Sequence, residues 1–177
     1  MRTHSPGGFT LIELLVTMSV AVILLTVAVP AFQTFVLNSR RVALANELVL
    51  ALTYAKSEAV KRGIQVTVCS RQDDTTCAGS TTWDAGWLVF VDNDDDGVID
   101  TGDTPPDVVL QVHPSLPAGS TLRAAADQRV TFDPTGFTPG FNDTFRLCDG
   151  RGTAEGRSIV VSAQGRVRTA AGTASCP

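Results

Sequence analysis

Phe9 to Val29 is a run of 21 residues with one charge, Glu13. Roughly 20 apolar residues are enough for a helix to cross a bilayer core. A helix that is apolar all round needs either lipid or a large protein interior, and 177 residues suggest about one domain. The run therefore predicts a membrane-competent helix at the start of the chain. Before it stands only MRTHSPGG, short and mildly basic. In a secretory signal peptide the small-residue cleavage site follows the apolar core. Here Gly7 and Gly8 precede it, so cleavage behind them leaves the helix on the mature chain. Arg2 fits cytoplasmic retention of the N-terminus, with the rest of the chain exported.

Glu13 is the exception within the run. A carboxylate deep in a membrane costs about 2.5–3.5 kcal/mol, and such residues carry function by default. Glu13 lies four residues beyond Phe9, about 6 Å along a helix, so it reaches the interface. Pro30 follows the run and predicts a kink or the exit from the bilayer. Beyond it, Ala45, Leu48, Leu52, Ala55 and Ala59 recur at spacings of three and four, which makes one apolar stripe. Lys61, Arg62 and Gly63 are stop signals. The expectation is one long helix from about Thr10 to Arg62, with residues 9–29 in the membrane and residues 30–62 amphipathic.

After Gly63 the period changes to two. IQVTVCS, GWLVFVD, DVVLQVH, STLRAAA, RVTFD, TFRLCD, RSIVVS and GRVRTA are short, rich in β-branched or aromatic residues, and separated by Gly, Pro, Asn and Asp. Residues 63–177 are therefore expected to form an antiparallel sheet or small sandwich, one face of which covers the helical stripe. The fold class is α+β. Cys69, Cys77, Cys148 and Cys176 all lie beyond the apolar run. In an exported domain they read as two disulfides with three pairings open; sequence proximity favours Cys69–Cys77 and Cys148–Cys176. No C-x-x-C spacing supports zinc. The formal charge of −4 is not that of a general nucleic-acid binder, so such binding requires a local basic cluster.

The N-terminus resembles the class III signal of type IV pilins and pseudopilins, carried by Gly8, Phe9, Thr10, Leu11, Glu13, Leu14, Leu15 and Pro30. The resemblance implies a leader of residues 1–8, cleavage between Gly8 and Phe9 by a prepilin peptidase, methylation of the new Phe9 amine, and an assembly role for Glu13 against a neighbouring subunit. The remainder resembles the FimT/GspH family of minor pilins and pseudopilins. It is carried by LALTYAKSEAVKRGIQVTVC (50–69), WDAGWLVFVDNDDDGVIDTGD (83–103), FRLCDGRG (145–152) and RSIVVSAQGRVRTA (157–170). The paired cysteines and the GRVR segment lean to the FimT side, which implies DNA contact through Gly165, Arg166 and Arg168.

In an extended segment Arg166 and Arg168 face one side, about 6.8 Å apart. Val167 faces the other way. That spacing suits neighbouring phosphates. Arg146, Arg151 and Arg157 add local positive charge against Asp149 and Glu155. The alternative is a solvated strand edge whose charges discourage aggregation.

Asp92, Asp94, Asp96, Gly97, Asp100 and Asp103 occupy positions 1, 3, 5, 6, 9 and 12 of an EF-hand-like calcium loop. Position 12 is Asp rather than Glu and the flanks read as strands. The alternative is therefore an acidic hairpin tip built from turn residues. If the arginines bind DNA, this tip should lie away from them. Catalysis has little to work with: His113 stands alone beside Pro114, and G-x-S-x-G is absent. Trp83 and Trp87 read as core anchors.

The chain is thus expected to be a non-enzymatic minor pilin of a type IV pilus. It would be held in the bacterial inner membrane before assembly, with its C-terminal domain in the periplasm. Its expected partners are other pilin subunits, the prepilin peptidase and DNA bound without sequence preference during natural transformation. No cofactor is expected beyond the calcium option. The alternative is a type II secretion pseudopilin that binds no DNA.

Overall fold

The computed structural model describes residues 8–102, 104–152, 156–172 and Cys176. The expected helix is present as α1, Leu11–Arg62. Its start is capped: the Thr10 hydroxyl accepts the Glu13 N–H at 3.3 Å. Thr10 and Glu13 have the T-x-x-E spacing of a capping box, and an acid in the first turn complements the helix dipole. α1 runs unbroken through Pro30, although Pro30 has no N–H to donate to the Thr26 carbonyl. At the far end Gly63 takes φ +68° and donates to the Ala59 carbonyl at 2.9 Å, a left-handed cap that suits glycine.

The chain divides into two compact units, residues 1–39 and 40–177. In the first, every residue from Gly8 to Phe35 is exposed. In the second, α1 buries Leu44, Ala45, Leu48, Ala51, Leu52, Ala55, Glu58 and Ala59. This is the predicted stripe, widened by Leu44 and Ala51. Glu58 is tolerated there because Arg62 Nε donates to it at 2.6 Å and Lys61 Nζ at 3.3 Å.

All eight expected strands form: β1 Gln65–Ser70, β2 Trp87–Asp92, β3 Val108–His113, β4 Ser120–Ala124, β5 Arg129–Phe132, β6 Thr144–Asp149, β7 Arg157–Val161 and β8 Val167–Ala171. They make two four-stranded sheets, ordered β3-β2-β1-β5 and β4-β6-β7-β8. Every pairing is antiparallel. The α1 stripe shares one core with Val66, Val68, Val89, Val130 and Phe132 of the first sheet. Leu122, Phe145, Leu147, Ile159 and Val161 of the second sheet join the same core. Trp83 meets Phe145 edge-on, with ring centroids 4.8 Å apart, so the expected anchoring role of the tryptophans is met inside this core. A smaller cluster of Cys69, Leu88 and Phe90 lies on the opposite face of the first sheet. Disulfides join Cys69 to Cys77 and Cys148 to Cys176.

Candidate functional site

The GRVR segment closes the β7–β8 hairpin. The Ser162 N–H donates to the Arg166 carbonyl at 3.0 Å, and the Gly165 N–H to the Ser162 carbonyl at 2.7 Å. Gly165 has φ +65°, and any side chain there would run into the Gly136 carbonyl. Two independent constraints therefore demand glycine. Lys56 of α1 donates from Nζ to the carbonyls of Gly165 at 3.0 Å and Gln164 at 3.4 Å. Sequence reasoning missed this tie, because nothing local links residues 109 apart.

Arg166 and Arg168 are both exposed, while Val167 between them packs on the core. Neither guanidinium has an ion pair among the described residues. Arg146 stands opposite Ser158, and Ser158 opposite Ala170. Strand alternation thus puts Arg146 on the same outer face as Arg168. Arg123, beside Arg146 on β4, is paired with Asp84.

The other two arginines are placed differently. Arg157 alternates with buried Ile159 and Val161, lies opposite Leu147 of the core, and has a buried Nε. Its side chain belongs to the helix-facing side of the sheet, as the pattern R-x-I-x-V already signals. Arg151 is engaged with Asp149, donating from Nε at 3.0 Å and from Nη2 at 2.6 Å. The basic surface is therefore Arg166, Arg168 and Arg146, smaller than the composition of residues 145–170 suggests. Glu155 lies outside the described residues.

Asp149 also sits 4.0 Å from Arg41 Nη1 of α1. The Arg151 guanidinium holds the Asp149 carboxyl below the usual carboxylate range against the opposing effect of burial; the Arg151 N–H and the charges of Arg151 and Arg41 add to this.

In the first unit, Phe9 is 82% exposed and Glu13 stands in the first turn of α1. The acidic segment connects β2 to β3. Asp92, Asp94 and Asp107 approach one another, as do Asp94, Asp96 and Asp100. Asp107, which the loop numbering did not include, thus joins the group; Asp103 lies outside the described residues. His113 stacks on Trp87 with centroids 3.6 Å apart and turns Nε2 to Glu47 at 3.0 Å, a structural role for this histidine.

Residues 44–165 match the family described as Type II transport protein GspH, and residues 4–29 match the prokaryotic N-terminal methylation motif. Among solved structures, the type IV minor pilin FimU of Pseudomonas aeruginosa (strain PAO1) is similar with a TM-score of 0.60 at 25% identity, covering 78% of this chain and 94% of that one. A second crystal form of FimU gives a TM-score of 0.55 at 25% identity over 74% of this chain and 93% of that one. The minor pseudopilin EpsH of the Vibrio cholerae type 2 secretion system gives 0.48 at 15% identity, over 74% and 96%. A search of curated protein sequences returns no match. With a methylation motif that runs into the apolar helix and a family match over most of the chain, this protein belongs to the GspH family and is a minor pilin or pseudopilin of a type IV pilus or type II secretion system.

Proposed function

We propose that this chain is a type IV pilus minor pilin that helps to build the filament and holds DNA without sequence preference during natural transformation. A prepilin peptidase cuts between Gly8 and Phe9 and the new amine is methylated. The apolar half of α1 then anchors the subunit in the inner membrane, with residues beyond it in the periplasm. On assembly that half passes into the filament, where Glu13 pairs with the N-terminal amine of a neighbouring subunit. The exposure of every residue from Gly8 to Phe35 supports this reading, since such a surface is stable only against lipid or other subunits.

The observation that carries the DNA reading is the pair Arg166 and Arg168, both exposed and free of ion pairs among the described residues, on a hairpin held by Gly165 and Lys56. Arg146 extends the same face. The acidic β2–β3 connection belongs to the other sheet. Phosphate contacts of this kind position a backbone without reading bases. A second reading, a type II secretion pseudopilin that binds no DNA, is favoured by the description of the matching family.

Among the described residues every buried one lies at or beyond Leu44, so a chain starting at Asn38 keeps that core. A gel shift with that domain at about 50 and 200 mM salt distinguishes the readings. The pilin reading expects a shift at low salt that fades at high salt and is lost in Arg166→Ala/Arg168→Ala. No shift at low salt supports the pseudopilin.

A further inference from the structure

The acidic connection between β2 and β3 plays no part in the reading above, and one of its members has an unmet requirement. Asp92 ends β2 on the sheet face opposite the main core, beside Thr67 and Thr131. It is 1% exposed. Its Oδ2 accepts the Thr67 hydroxyl at 2.9 Å, but its Oδ1 is buried without a well-formed hydrogen bond, the Gly97 N–H being the one further donor that acts on this carboxyl. A buried carboxylate oxygen without a partner is costly. Carboxylate oxygens of Asp94 and Asp107 lie within 4.8 Å of one on Asp92 and of each other. That is inside the roughly 5 Å that separates opposite oxygens around one calcium ion.

We propose that Asp92, Asp94 and Asp107 bind a calcium ion, with Asp96 and Asp100 as further ligands from the same loop. Asp94, Asp96 and Asp100 also approach within 4.8 Å of one another, so Asp94 joins two triads into one group of five carboxylates. Asp107 is the preorganised member. It is buried, its Oδ1 takes the Asn93 N–H at 2.8 Å, and its Oδ2 takes the Asp100 N–H at 3.1 Å. Oδ2, with that single donor, keeps a lone pair for a metal, while Oδ1 also takes a long bond from Asn93 Nδ2 at 3.5 Å. The donors are all hard oxygens, which suits calcium or magnesium and not zinc. A cationic side chain beside the loop does not substitute for the ion. Arg129 packs against Gly97 and over the Phe141 ring, yet makes no ion pair with the cluster among the described residues. The ion would fasten the β2–β3 connection to the end of β2. Ile99 within that connection and Val109 of β3 cover Leu88 and Phe90.

The test is calorimetric titration of calcium into the full chain in detergent micelles, after dialysis against chelator. The expected result is saturable binding with half-saturation in the range of about 0.1–1 mM, typical of extracellular calcium modules, and a melting temperature that rises with calcium. Asp94 is exposed, so Asp94→Asn should leave melting in chelator unchanged while weakening calcium binding at least about tenfold, the loss of one charged ligand. Asp95→Asn, in the same loop but outside both triads, should leave affinity within about twofold. Absence of binding at about 5 mM calcium, or an Asp94→Asn variant that binds as wild type does, overturns the proposal.

Discussion

Lys56 Nζ donates to the Gly165 carbonyl at 3.0 Å, which fastens the turn before Arg166 to α1. Gly165 sits at φ +65° with the Gly136 carbonyl where a Cβ would go. Gly165→Ala should therefore cost about 1–3 kcal/mol from backbone strain alone, and more because Gly136 must move. Lys56→Met keeps the packed stem and loses only the donor, so its cost should be smaller, about 1–2 kcal/mol. Thermal melts of the two variants check the order; a Gly165→Ala protein as stable as wild type would refute the steric account.

The proposed DNA face has a distinct salt signature. Two phosphate contacts give a log–log slope of about −1.8 on duplex DNA, and a third from Arg146 takes it to about −2.7. Removing Arg166 or Arg168 singly should reduce the slope by about 0.9. Arg157→Ala and Arg151→Ala should leave the slope unchanged, since one side chain faces the helix side and the other is held by Asp149. Binding measured at four or more salt concentrations separates these outcomes.

Asp143 organises a turn that no motif announces. Its buried carboxylate accepts the N–H groups of Ala125 at 3.1 Å, Ala126 at 3.2 Å and Asp127 at 2.8 Å. Asp143→Ala strands these three donors and the Thr144 N–H, which also bonds this carboxylate, and should cost about 2–4 kcal/mol. Asp143→Asn retains an acceptor and should cost less. Chemical denaturation of the domain from Asn38 onward measures both.

Asp149 predicts an acid-sensitive contribution to stability. Arg151 and Arg41 depress its folded-state pKa, and an unfolded Asp titrates near about 3.9. The contribution is therefore fully present above that value and is lost as pH falls through the lower folded value. Asp149→Asn should lower the melting temperature at pH 7, and the gap to wild type should narrow progressively as pH falls below about 3.9. A gap that persists unchanged at low pH would remove the ionic explanation.

Much of this was legible in the sequence because its signals are local. The α1 stripe from Ala45 to Ala59, the Gly63 stop and the eight period-two strands each follow from a few adjacent residues. The Thr10–Glu13 cap was legible too, as T-x-x-E, but Glu13 drew attention for its charge instead. The alternation of Arg157 with Ile159 and Val161 signalled its inward face. Three relationships had no local signal: Lys56 with Gly165, Asp92 with Asp107, and Asp143 with the turn at 125–127. Each joins residues that only the tertiary fold brings together, so no pattern among neighbours in sequence announces it.

The order in which the strands enter the two sheets has its own consequence. The chain lays β1, β2 and β3 in one sheet, moves to the other for β4, returns for β5, and leaves again for β6. Neither sheet is a contiguous piece of sequence. However the polypeptide emerges, the first sheet lacks its edge until Phe132 has arrived, and by then β4 is waiting for β6. A subunit interrupted anywhere before its last third has no half that can close on its own, so the protein is delivered whole or left open to proteolysis.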